Sequence, residues 1–422
     1  MSAKTIFKSF ILLAFVSVVF LSCGDDTPTD PPAPSDEVKT GEITANETWS
    51  ADRIYFLQGR VVVKDGVTLT IEPGTIIKGK AGDGLNASVL IIARGGKLMA
   101  QGTAANPIIF TSELDNIALG QKTGTNLDET DSNKWGGLIV LGNAKVSAEI
   151  GDTEGHIEGI PANDPNGNYG GSDDADNSGI ITYVSIRHGG ISIGAGNEIN
   201  GLTLGGVGNG TVIDHVEIVA NLDDGIECFG GTVNINHALV AYQKDDAFDI
   251  DQNFSGSFKN SMVVYNNSGD EFLEIDGPEN STNVMGMFTV ENCKFISKTN
   301  DGTVDLKSKA QGIVKNNEFE GLTKFKVRTK LTNCTMVGTD AYSHYVDTPP
   351  TLFIEDNNTD APVHVYTKST DGSGTVCTLP SSLQPAAEAI FNNAGNTTSA
   401  TPTVVSQTEF DGWSWTALNN KF

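Results

Sequence analysis

Basic residues are scarce in this sequence: 27 Lys and Arg stand against 53 Asp and Glu. A surface so acidic repels nucleic acid, whose capture depends on neutralising phosphates with Lys and Arg, so no nucleic-acid partner is expected. Bare anionic polymers are repelled too unless a cation bridges them. Aromatic residues make up only 7% of the chain, and the candidates for a sugar-stacking face reduce to Tyr183, Tyr242, Tyr265 and Phe229. No CxxC pair occurs among the five cysteines, which removes zinc sites of that kind. Residues 204–210 (LGGVGNG) lack the Lys-Ser/Thr of a phosphate-binding loop. No Ser-His-Asp or Cys-His spacing supports a nucleophilic triad.

What is abundant is turn chemistry. The chain holds 47 glycines, and Asn, Asp and Thr crowd the gaps between short β-branched runs. This composition is that of a turn-rich β protein rather than a helical one.

The first residues read as an export signal. Lys4 and Lys8 precede the apolar run Phe10–Leu21, which is short for a bilayer span but suits a signal sequence. It ends in Leu21-Ser22-Cys23-Gly24, which resembles the lipobox cut by lipoprotein signal peptidase. The resemblance implies that residues 1–22 are removed and that Cys23 carries the lipid anchoring the chain to a membrane. Residues 23–40 are Pro-rich and acidic without apolar periodicity, and read as a disordered tether. Asp25-Asp26 resembles the acidic surface-export signal of Bacteroidetes lipoproteins. The expected location is therefore the outer membrane, at the cell surface or on its periplasmic side.

The central region repeats every 22 to 25 residues, the pattern of a solenoid. The runs His215-Val-Glu-Ile-Val, His237-Ala-Leu-Val-Ala and Ser261-Met-Val-Val-Tyr begin 22 and 24 residues apart. Each leads into an acidic turn and a second short strand. Further copies start at Tyr183, Asn292, Asn316 and Asn333. A leucine-rich repeat would need a leucine skeleton, and a propeller blade about double the length. The expectation is an all-β, right-handed parallel β-helix over residues 41–422, with coils about 4.8 Å apart. Loop excursions are expected near 112–134 and 147–179, and a C-terminal cap over 340–422 in which Trp413, Trp415 and Phe422 are buried.

Stacking turns the repeat into columns. Val216, Ala238, Met262, Cys293, Asn317 and Cys334 form one inward column, and Asn292, Asn316 and Asn333 another. Export and an even cysteine count after Cys23 invite disulfides. The register argues against them: it sets Cys293 and Cys334 about 9–10 Å apart, and both read as small core residues.

The phrases WGGLIVLGNAKV (135–146), HIEGIP (156–161), EINGLTLGGVGNGT (198–211) and LDDGIECFGGTVNINHALV (222–240) together resemble a family of Bacteroidetes surface lipoproteins with a parallel β-helix. The likeness spans most of residues 41–340. It implies fold and location and supplies no catalytic residues.

The acidic turns carry the concentrated chemistry. Asp223, Asp245 and Asp270 should stack in one column, Asp224, Asp246 and Glu271 in a second, and Glu227, Asp249 and Glu274 in a third. Like charges about 5 Å apart raise one another's pKa unless a cation lies between them. Calcium, which takes six to eight oxygens, is the expected ligand of Asp223, Asp224, Asp245, Asp246, Asp249, Asp270 and Glu271. The expected role is a non-catalytic module that binds a glycan or a surface protein. The alternative follows a likeness of Asp223-Asp224 and Asp245-Asp246 to the acidic pairs of polygalacturonase-type β-helices. It is a pectin hydrolase or lyase using those four residues with Arg187 and His188. Against it stands the shortage of basic groups, with Lys244 alone inside the turns.

Overall fold

Runs of three to five β-branched residues punctuated by Gly, Asn and Asp can bury their apolar side only by stacking on neighbouring copies. The computed structural model shows that stack, a 27-stranded array of parallel pairings. It describes residues 35–422 except 149–152, 193–198, 267–268, 280–282, 337–338 and 368–373. Cys23, the leader and most of the tether lie outside the described residues, while residues 37–40, expected as tether, instead belong to the first strand, Glu37–Ile43. No described helix is long and apolar enough to cross a membrane.

Each full coil has three faces. On the first, Ile180, Val212 and Asn234 pair in turn. On the second, Val184, Val216 and Ala238 follow one another. On the third, Leu138, Leu202, Ile226, Phe248, Leu273, Val304 and Phe325 align. The inward residues form one continuous core along the stack. The molecule is a right-handed parallel β-helix, as the repeat predicts.

The corner between the first two faces needs one residue in the left-handed region. Tyr183, His215, His237, Asn260, Asn292, Asn316 and Asp356 fill it with φ of 49°, 54°, 48°, 50°, 61°, 54° and 54°. Asn and Asp tolerate this conformation better than other non-Gly residues. The corner thus corrects the sequence alignment at two places. Asn260, not Ser261, is the counterpart of His237, so Met262 pairs with Leu239 and faces outward. Asn333 and Cys334 leave the columns altogether: NCTMV folds as an antiparallel hairpin, Leu331–Thr332 against Thr335–Met336. The next coil resumes at Leu352, and Asp356 takes the corner.

Behind the corner runs a buried ladder. Cys293 N–H donates to Asn317 Oδ1 at 2.9 Å, Asn317 N–H to Asn357 Oδ1 at 3.0 Å, and Asn357 N–H to Asn396 Oδ1 at 3.1 Å. The three Asn amides return hydrogen bonds to Val290, Val314 and Ile354 carbonyls. Cys293 and Cys228 are buried free thiols. Cys334 is instead disulfide-bonded to Cys377, which overturns the reading of it as a core thiol. The argument from coil spacing failed because Cys334 is not on a coil.

The C-terminal region splits in two. Helices α1 (Ala341–Val346) and α2 (Leu383–Asn393) lie at the last coils, with Tyr342, Tyr345, Leu383, Ala387 and Phe391 in the core. Residues 403–422 then run back along the outside of the second face as a strap. Phe410 and Trp413 pack on Leu239, Met262 and Val264, and Trp415 on Val219 and Ala220. Trp413 and Trp415 are buried, as expected. They cover the side of the stack rather than its end, and this explains why the second-face strands are apolar on both sides.

Candidate functional site

The turn from the second to the third face places Asp223-Asp224 and Asp245-Asp246 on successive coils. Asp246 N–H donates to Asp224 Oδ1 at 2.9 Å, and Glu271 N–H to Asp246 Oδ1 at 2.7 Å. Asp270 N–H donates to the Asp245 carbonyl at 3.0 Å. On the adjoining strands Glu227 pairs with Asp249, Asp249 with Glu274 and Glu274 with Asp305. All three expected carboxylate columns are therefore in register.

Three sets of carboxylate oxygens lie within 4.8 Å of one another: Asp223/Asp224/Asp245, Asp224/Glu227/Asp249 and Asp246/Asp249/Glu274. Two oxygens bound at 2.3–2.6 Å on opposite sides of one Ca²⁺ stand about 4.6–5.2 Å apart, so this spacing suits a shared ion. Glu227 and Glu274 belong to these sets although the sequence reading left them out of the ligand list. Asp270 and Glu271 belong to none of these sets, and Glu271 is ion-paired with Lys326.

Asp245 is exposed and Asp223 partly so, but the inner carboxyls are not solvated surface groups. Asp224 and Asp246 are 6% and 4% exposed. Burial, then the neighbouring carboxylates, push Asp224, Glu227 and Asp249 far above the usual carboxylate range. The same causes raise Asp246 to about 11 and Asp251 to about 8. Asn200, 1% exposed, donates its amide to Glu227 Oε2. Its own Oδ1, like Asp249 Oδ1, has no hydrogen-bond partner among the described residues.

Further along the third face the charge reverses. Lys307 pairs with Glu274 and Asp276 at 2.7 and 3.0 Å. Lys326 holds Glu271 and lies 3.2 Å from Asp305, and Arg328 Nε reaches both Asp305 oxygens at 2.7 and 2.8 Å. The Tyr366 ring packs 5.1 Å from the Arg328 guanidinium. Sequence reasoning missed these three cations; the alternation in VDLK (304–307) and FKVR (325–328) was the available signal.

Arg187 and His188 are not brought to the acidic turns. Both are 0% exposed. Arg187 donates to Ser185 Oγ and the Lys122 carbonyl, and His188 Nδ1 bonds the Asp131 carbonyl at 2.7 Å. Lys244, half-buried, has its pKa lowered by desolvation. No exposed aromatic row forms from the four candidates: Tyr265 lies inside the core, Tyr242 donates to the Lys421 carbonyl, Phe229 packs against Tyr169, and Tyr183 stacks on His215.

A three-faced stack of parallel strands defines a parallel β-helix. The chain matches the pectate-lyase-like beta helix domain over residues 41–376, and it belongs to that family. Two crystal structures of the pectin methylesterase from Aspergillus niger are similar at 11% and 12% identity. They cover 75% and 81% of this chain and 83% and 87% of theirs, each with a TM-score of 0.27, values too low to carry a functional comparison. No curated protein matches the chain.

Proposed function

We propose that this protein is a lipid-anchored module of the bacterial outer membrane that binds Ca²⁺ on its third face and presents that face to a glycan or surface partner. The observation that carries the calcium reading is the buried set Asp224, Glu227 and Asp249 with the unpartnered oxygens of Asn200 and Asp249. Buried carboxylates without cations must take up protons. A divalent ion would satisfy the same oxygens and let them ionise. The basic residues of this face are already engaged with Glu271, Glu274, Asp276 and Asp305, so the uncompensated negative charge concentrates at Asp224, Glu227, Asp246, Asp249 and Asp251. The Cys334–Cys377 disulfide supports export, since such bonds persist in oxidising compartments. Anchoring rests on Cys23 and its lipobox.

Calorimetric titration of the chelator-stripped protein with Ca²⁺ tests this. Saturable binding that an Asp224→Asn, Asp249→Asn double variant abolishes is the expected result; no heat with wild type, at a pH where the sites ionise, would sink it. The anchor is tested separately: Cys23→Ala should leave the chain unprocessed or released from membranes.

One observation favours the catalytic alternative as a second reading. Lys307, Lys326 and Arg328 provide, beside the carboxylates, the cations that an anionic polysaccharide requires. Incubation with a polysaccharide panel, with calcium and with chelator, decides between the readings. New reducing ends or unsaturated-uronate absorbance that vanish in Asp246→Asn would make the protein an enzyme.

A further inference from the structure

Away from the acidic face, two corner histidines sit under the strap. The His215 ring stacks between Tyr183 and His237, with centroids 4.3 and 4.5 Å away, and meets the edge of Trp413 at 6.0 Å. Its Nδ1 lies 2.6 Å from Asp214 Oδ1 and its Nε2 3.1 Å from Glu409 Oε1. His237 Nδ1 approaches the same Asp214 oxygen at 2.8 Å. Carboxylate oxygens only accept hydrogen bonds, so both nitrogens of His215 are satisfied only when both carry protons. A shared metal ion suits the pair less well. The rings stack 25° from parallel, whereas a metal bound by both would have to lie near the plane of each.

Glu409 belongs to the strap, on the turn of helix that precedes Trp413. The other polar ties of the strap around this point are Val405 N–H to the Asn292 carbonyl, Lys122 to the Gly412 carbonyl, and the Trp415 and Thr416 N–H groups to Glu217. We propose that His215 is a pH-operated latch for the C-terminal strap, closed onto Glu409 while the imidazole is doubly protonated and loosened when it gives up its Nε2 proton. The groups facing the ring are Tyr183 from the preceding coil, Asp214 on its own strand, His237 from the next coil, and Glu409 and Trp413 from the strap. Burial opposes the charge on His215, and the hydrogen bonds to Asp214 and Glu409 outweigh it, so its pKa stands above the ordinary value. A raised folded pKa contributes stability that is complete below the unfolded value of about 6.5 and is lost as pH rises through the folded one. The latch is therefore closed in acid and opens toward alkaline pH.

Hydrogen exchange of the full chain, read on peptides spanning 405–416 from pH 5.5 to 9 and corrected for intrinsic rates, tests this. Wild-type protection should fall about tenfold for each unit by which the His215 pKa with the strap docked exceeds that with the strap released. Glu409→Gln, at a side chain 46% exposed and tolerant of change, should remove that pH dependence and lower the titration midpoint of the His215 ring protons. His215→Gln should give a pH-independent strap. Identical exchange profiles in wild type and Glu409→Gln, or a His215 midpoint unmoved by that change, would overturn the latch.

Discussion

Glu217 accepts the backbone N–H and the hydroxyl of Thr416 on one oxygen, at 2.9 and 2.8 Å, and the Trp415 N–H on the other at 2.8 Å. The two partners are 199 residues apart, and Glu217 is 0% exposed. It also faces Arg187, fully buried on the preceding coil, through Ser185. Glu217 thus holds the strap beside the buried latch of His215, in addition to the ties at Val405, Gly412 and Lys421.

Removing Glu217 alone takes from buried Arg187 the larger of its two counter-charges, Glu217 and Asp115, and strands the Trp415 and Thr416 N–H groups. Glu217→Ala should cost about 3–5 kcal/mol and make the C-terminal strap sensitive to protease. Arg187→Met combined with Glu217→Leu should cost less than the single change, because no unpaired charge stays behind. Urea unfolding of the three proteins checks the order. A single variant as stable as wild type would show that the pair does not hold the strap.

Asn357 is the middle rung of the buried ladder, with Oδ1 on Asn317 and Nδ2 on the Val314 carbonyl. Asn357→Ala strands a buried N–H and a buried carbonyl, each costing about 1–3 kcal/mol. Asn316 occupies the outer corner with a left-handed φ of 54°, and its partly exposed amide donates to Asn292 Oδ1 at 2.6 Å. Asn316→Gly should therefore cost only about 0.5–1.5 kcal/mol for that one partly exposed hydrogen bond, and Asn316→Ala about 1 kcal/mol more for the left-handed φ. Equal unfolding midpoints for Asn357→Ala and Asn316→Gly would contradict this division.

The columns were legible because stacking repeats a side-chain type at fixed offsets. Glu227, Asp249 and Glu274 could be aligned by eye, and the structure pairs them. Legibility ended where the period did. Met262 is followed on its face by Lys294, 32 residues on, and no coil length predicts that step, so Lys307, Lys326 and Arg328 had no register to be read in. Asn333-Cys334 resembles Asn292-Cys293 in sequence, yet one phrase is a hairpin and the other a coil corner. Only long-range pairing, here the closing of Cys334 on Cys377, tells them apart. The strap was hidden for the same reason: nothing local in residues 403–422 names Glu217 as their partner.

The disulfide ties that hairpin to a segment near residue 377. The chain-entropy account gives about 2–4 kcal/mol for such a link. Because the hairpin lies off the coils, Cys334→Ser with Cys377→Ser should raise exchange in residues 331–336 while the central coils keep their protection. Loss of protection at Val216 or Ile250 would mean that the link supports the whole stack.

The acidic face makes stability depend on pH in a direction opposite to that of an ordinary salt-bridged protein. Asp246 and Asp251 titrate near 11 and 8 in the folded chain, against about 3.9 unfolded. The folded state thus holds protons that the unfolded chain releases. Stability is complete below about pH 4 for these groups and declines as pH rises toward 8 and beyond. A cation that replaces those protons cancels the decline. Without calcium, the melting temperature should fall steadily between pH 5 and 8.5, and millimolar Ca²⁺ should restore it at pH 8.5 while changing little at pH 5. Asp246→Asn, which removes one buried titrating group, should flatten the calcium-free slope. A melting temperature independent of pH in chelator would mean that water or a counter-ion already neutralises the face. A slope that magnesium corrects as well as calcium would point to a smaller and less specific site than eight-oxygen coordination allows.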